Sequence, residues 1–189
     1  MEGIASLCDK LELDPSTDRR CLMLLWKLGA HSKPGQISQN EFTLGMTKLE
    51  IDTIEGLKDL IPSLDTGFLM ADEFKSFYKF SFLFSREGTH RTIEKDLTIA
   101  LWQMILADRG NPHVSNFCKF LEENVEENAR ITLDQWVSFL DFSTCVSRDC
   151  KDYEDDDNCA WPVLFDEYVA WTVAQDKMNM DKMDIGGRK

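Results

Sequence analysis

Apolar residues recur at intervals of three and four along most of the chain, while strand-like alternation is nearly absent. The pattern predicts an all-α fold of nine helices. They cover roughly 3–11, 16–30, 39–50, 53–61, 70–84, 92–107, 114–124, 133–146 and 162–175. Helix starts are well marked: Asp14-Pro15 stands ahead of the second segment, and Ser38-x-x-Glu41, Asp52-x-x-Glu55 and Thr132-x-x-Gln135 have the spacing of capping boxes. Gly110-Asn111-Pro112 is the best internal boundary. It divides the chain into a first half over 1–107 and a second over 108–176, packed as one compact domain. The stretch 177–189 is polar with a Gly-Gly pair close to its end, as a disordered tail would be.

A repeat lies at four helix starts. Asn40-Glu41-Phe42, Asp72-Glu73-Phe74, Asp134-Gln135-Trp136 and Asp166-Glu167-Tyr168 each set an acid or amide pair before an aromatic. An apolar residue (Ile37, Leu69, Ile131 or Val163) stands four before the second member of each pair. An EF-hand loop has this second half, with an apolar residue at its eighth position and Glu at its twelfth. Two pairs of helix–loop–helix units follow, making two EF-hand-like subdomains, and calcium is the first chemistry they raise. The ligand positions argue against it. A working loop needs oxygen donors at positions 1, 3, 5 and 12 and Gly at 6. The first loop offers Ala30, Ser32, Pro34 and Glu41; the second Pro62, Leu64, Thr66 and Glu73. The third lacks both the Gly and the Glu, and in the fourth Asp156 and Asn158 are followed by Ala160 and Trp161. The subdomains are therefore read as degenerate, with an EF-hand-related calcium-binding protein as the rival function.

Composition narrows the field further. The 189 residues suffice for a hydrophobic core, with twelve Phe and five Trp as large anchors. No apolar run approaches the roughly 18 residues of a membrane span. The N-terminus carries no basic stretch before an apolar run, and Gly3 does not directly follow Met1, so neither a secretory signal nor myristoylation is expected. A net charge of −13 disfavours nucleic acid and suits a basic protein partner. The six Cys form no C-x-x-C pair, and Cys21 and Cys118 occupy apolar helical positions, so free thiols are expected instead of a disulfide framework. No phosphate-cradling Gly-rich loop, G-x-S-x-G or H-E-x-x-H occurs, and no cofactor is implied. A cysteine-dependent transferase, carrying a thioester on its own thiol, is the remaining enzymatic alternative. The run Glu154-Asp155-Asp156-Asp157 reads as a solvated loop.

Ala160-Trp161-Pro162-Val163-Leu164 with Asp166-Glu167 combines acids and aromatics more densely than helix opening requires. Together with Leu140-Asp141-Phe142-Ser143, Leu25-Trp26-Lys27, Glu41-Phe42, Gly45-Met46 and the Phe77-Tyr78-x-Phe80-x-Phe82-x-Phe84 run, it resembles the defective-in-cullin-neddylation family, specifically its potentiating-neddylation domain. The matching residues span about 3–171 in family order. The resemblance implies a monomeric, non-catalytic co-ligase of cytoplasm and/or nucleus, engaging neither nucleic acid nor membrane. It would promote transfer of a Nedd-type modifier to a cullin lysine. Three partners are implied: the cullin C-terminal winged-helix region, the modifier's conjugating enzyme with its acetylated N-terminal Met, and the RING subunit of cullin ligases. The family's cullin-binding patch falls on Asp134, Ala160 and Asp166. Its conjugating-enzyme pocket falls on Ile4, Cys21, Leu24, Ile37, Phe84 and Met104.

Overall fold

The computed structural model describes residues 2–106, 109–153 and 161–186. Among them are nine α-helices: α1 (Glu2–Lys10), α2 (Arg19–Lys27), α3 (Gln39–Lys48), α4 (Ile54–Leu60), α5 (Ala71–Ser85), α6 (Lys95–Leu106), α7 (Val114–Asn124), α8 (Leu133–Cys145) and α9 (Val163–Gly186). Two 3-10 turns link α4 to α5. Two three-residue strands, β1 (Thr92–Glu94) and β2 (Arg130–Thr132), pair antiparallel with Ile93 opposite Ile131. The all-α expectation holds.

Two of the expected capping boxes form. Ser38 and Glu41 open α3, and Thr132 and Gln135 open α8, each pair exchanging side-chain-to-backbone hydrogen bonds. Others shift. α4 is capped by Thr53, whose hydroxyl accepts from Gly56 N–H, so Asp52 stands one residue too early. Asp14 accepts from Ser16 N–H and the Thr17 hydroxyl, closing a turn, and α2 starts five residues later on the Asp18 cap. At the other end of the chain, α9 continues to Gly186, so the expected tail is helical up to that residue.

The strand pairing also revises the repeat. Ile131 behaves as an eighth loop residue should, but its partner Ile93 belongs to the α5–α6 connection, outside the four repeated segments. The helix–loop–helix units that face one another are thus α5–α6 and α7–α8, and their pairing crosses the boundary expected at 107–108.

One aromatic core runs across that boundary. Tyr78 of α5 stacks on Trp136 of α8 with centroids 4.5 Å apart, and Trp136 stacks on Trp102 of α6 at 5.4 Å. Phe117 of α7 carries the cluster on to Phe165 and Tyr168 of α9. On the far side α5 packs against α2, whose residues 21–25 are all buried. Gly45 lets α3 reach α2: a Cβ there would stand 2.4 Å from the Leu28 carbonyl oxygen. Lys95 is buried, and its ammonium donates to the Val125 carbonyl at 2.9 Å, satisfying the end of α7.

Candidate functional site

The first loop shows what has become of the ligand positions. Glu41, the twelfth residue, accepts five hydrogen bonds. His31 and Ser32 N–H donate to Oε1 at 2.9 and 2.8 Å. The Ser32 hydroxyl, Ser38 N–H and Ser38 hydroxyl donate to Oε2 at 2.9, 2.8 and 2.8 Å. Burial pushes the Glu41 carboxyl up, but the backbone and hydroxyl donors of Ser38 and Ser32 outweigh it and hold the group at about 2. A loop of this kind points donors inward, where a calcium loop points acceptors. Glu73 and Gln135 repeat the device more simply, accepting from Met70 N–H at 3.0 Å and Thr132 N–H at 2.9 Å. Among the described residues no three His, Cys, Asp or Glu side chains converge as a metal site would require.

Of the three residues expected to form the acidic patch, two are described. Asp134 lies exposed in the first turn of α8, and Asp166 lies exposed in the first turn of α9. Both therefore face solvent at a positive helix end. Ala160, the third, falls outside the described residues. The start of α9 is held against α8 by Phe142, which packs edge-on to Trp161 at 5.6 Å and against Phe165 at 5.1 Å. Phe142 is eight residues along α8 from Asp134, about 12 Å of helix rise. Beneath this junction, His113 is fully buried between Tyr168 and the Val146 carbonyl. A carbonyl can only accept, so Nε2 carries the proton and Nδ1 accepts from the Tyr168 hydroxyl.

Sequence reading missed one contributor to this face. The Tyr153 hydroxyl donates to Asp166 Oδ1 and orients that carboxylate. Tyr153 is thirteen residues from Asp166 and adjoins an acidic run, so no periodic signal linked them.

The six residues expected to line a pocket do not share one opening. Cys21 and Leu24 are 2% and 1% exposed on the inner face of α2, and Phe84 is buried on α5. Met104 lines a polar cleft beside Arg20, Pro62 and Asp65. Ile4 is half-buried on α1 and packs against the core. Ile37 borders an apolar cleft of about 340 Å³, walled by Gly3, Ser6 and Leu7 of α1 and by Phe42 and Ile54. The family resemblance supplied these six residues, and their apolar character alone could not separate those facing the core from those at its edge.

These features define a class: a helical domain of helix–loop–helix units whose loops are closed by their own side chains, with first-turn carboxylates exposed on its second half. Within that class the chain belongs to the cullin-binding family, whose model, described as "Cullin binding", matches residues 56–171. The rat protein named DCN1-like protein 3 is 34% identical over 99% of this chain and 59% of its own length. Human DCN1-like protein 3 is 34% identical over 93% of the chain and 57% of its own length. DCN1-like protein 2 of Dictyostelium discoideum is 33% identical, at 93% and 63%. The chain spans about three fifths of the length of these relatives.

Proposed function

We propose that this chain is a non-catalytic co-ligase in cullin neddylation. It binds the C-terminal winged-helix region of a cullin through Asp134, Ala160 and Asp166. It receives the acetylated N-terminal Met of the Nedd-type conjugating enzyme at the apolar cleft beside Ile37. The observation that carries this reading is the family match, which spans α4 to α9 and so includes both exposed carboxylates. Two carboxylates at helix N-termini offer charge-assisted hydrogen bonds to basic cullin side chains, while the small Ala160 lets the partner approach closely.

The chain's role in the reaction is arrangement. Holding both partners raises the effective concentration of the thioester near the acceptor lysine and restricts its orientation, so no proton or nucleophile need come from the scaffold. Contacts with the RING subunit and residence in cytoplasm or nucleus complete the proposal. Calorimetric titration with a cullin C-terminal domain tests it. Asp166→Ala and Ala160→Arg should each lower affinity at least tenfold while leaving helicity and melting temperature unchanged. Wild-type affinity in both variants would refute the assignment.

A further inference from the structure

We propose that Cys8 and Cys21 are a reversible disulfide pair that staples α1 to α2 and thereby fixes one wall of the apolar cleft. Their sulfurs lie 3.2 Å apart, and both residues are 2% exposed. That separation is about 1.2 Å longer than a disulfide bond, and small rotations of two side chains supply the difference. Of the remaining described cysteines, Cys118 lies on α7, Cys145 on α8 and Cys150 in the loop after α8. α1 contributes Gly3, Ser6 and Leu7 to the cleft that Ile37, Phe42 and Ile54 complete, so whatever anchors α1 also sets the shape of that opening.

Burial makes the chemistry conditional. A nine-residue helix has little stability of its own and is kept by packing, so α1 opens locally more readily than the aromatic core. Asp14 and Asp18 lie close enough to disfavour negative charge on either sulfur. The hydrogen bond it shares with Cys21 nevertheless pulls the Cys8 thiol below its ordinary value, which favours Cys8 as the first nucleophile. A hydroperoxide reaching the opened pair is attacked by the Cys8 thiolate. The O–O bond breaks, a sulfenic acid forms and the alcohol, or water, leaves. The Cys21 thiol then attacks that sulfur, the S–O bond breaks and water departs with the thiol proton. Two thiols and one hydroperoxide give one disulfide, one alcohol and one water. The closed ring joins residues thirteen apart and prevents α1 from lifting again.

The test uses the full chain. It is treated with hydrogen peroxide in small excess, quenched with an alkylating agent, and mapped as peptides with and without dithiothreitol. The expected product is a Cys8–Cys21 cross-linked peptide lacking two hydrogens and restored by reductant. Amide exchange in α1 should slow at least tenfold, and the melting temperature should rise by on the order of 5 °C. Cys21→Ser should leave Cys8 without a cross-link. Should that variant not fold, Cys8→Ala serves, with Cys21 then expected to remain unlinked. Sulfinic or sulfonic acid without a cross-link, a bridge through any other cysteine, or a Cys8–Cys21 bridge that leaves α1 exchange unchanged would each overturn the proposal.

Discussion

Tyr78 and Trp136 bind each other twice. The Tyr78 hydroxyl donates to the Trp136 carbonyl at 2.9 Å, and the Trp136 indole N–H donates to the Tyr78 carbonyl at 2.9 Å, with the two rings stacked between these bonds. The same hydroxyl accepts from the Trp102 indole at 2.6 Å. Three helices from both sides of the Gly110 boundary thus meet at one oxygen.

Removing that oxygen is the first prediction. Tyr78→Phe preserves the stack but orphans the buried Trp102 N–H, a loss expected to cost about 1–3 kcal/mol. Urea unfolding should show a lower midpoint at an unchanged slope. An unchanged midpoint would mean that the oxygen contributes nothing net.

Gly45→Ala should be costly for a different reason. The new methyl would meet the backbone of Leu28, which no side-chain rotation can move aside. Overpacking of this kind is expected to destabilise by about 2–3 kcal/mol, measured as a drop in melting temperature. Ala at Gly3, where an added Cβ meets no packed neighbour, serves as the control and should not destabilise.

His113 predicts a stability change near neutral pH. Burial lowers its pKa below the ordinary 6.5, opposed in part by its hydrogen bond to Val146. The unfolded chain therefore binds a proton first. The contribution should be complete above about pH 6.5 and be lost as pH falls below it towards the folded value. Urea midpoints from pH 7.5 to 5 should fall accordingly, and a folded His113→Gln variant should lose this part of the dependence.

Glu41 places a second window at lower pH. Its stabilising effect should be full above about 4.5 and disappear as pH falls towards 2, where the carboxylate gains a proton and surrenders its donors. Acid titration followed by circular dichroism should show this transition. Glu41→Gln should flatten it while lowering stability at pH 7.

The apolar cleft can be separated from the core by paired substitutions. Ile37→Arg, at a half-buried position on the cleft rim, should abolish binding of an acetylated Met peptide with little effect on melting. Leu24→Asp should unfold the chain, because Leu24 is 1% exposed and a carboxylate there has no partner. Retained peptide binding in a folded Ile37→Arg variant would exclude this cleft.

Much of this molecule could be read from its residues. All nine helices follow from apolar spacing, and two capping boxes form where Ser38 and Thr132 predicted them. Errors gathered at ends, where one side chain decides between neighbouring caps: Thr53 displaced Asp52, and Asp14 closed a turn instead of opening a helix. The pairing of Ile93 with Ile131 was invisible because the α5–α6 connection lacks the acid–aromatic signature of the other loops. Asp134 and Asp166 came from the family resemblance, and helix-opening chemistry accounts for acids at those first-turn positions. The pocket residues came from the same resemblance, and apolar character alone does not tell a wall from a core. Tyr153 illustrates the same limit, as its bond to Asp166 depends on how a loop folds back.

One hydroxyl and one strand pair join described residues on both sides of the boundary that sequence alone would draw. Under the proposed function that arrangement is the one a strut needs, with its parts tied to each other by side chains instead of a linker. A flexible tether lets its cargo sample many separations and meet only occasionally, whereas a strut of the right length holds every encounter at working distance. A strut has a matching weakness, since it cannot bend to accept cargo of a different size.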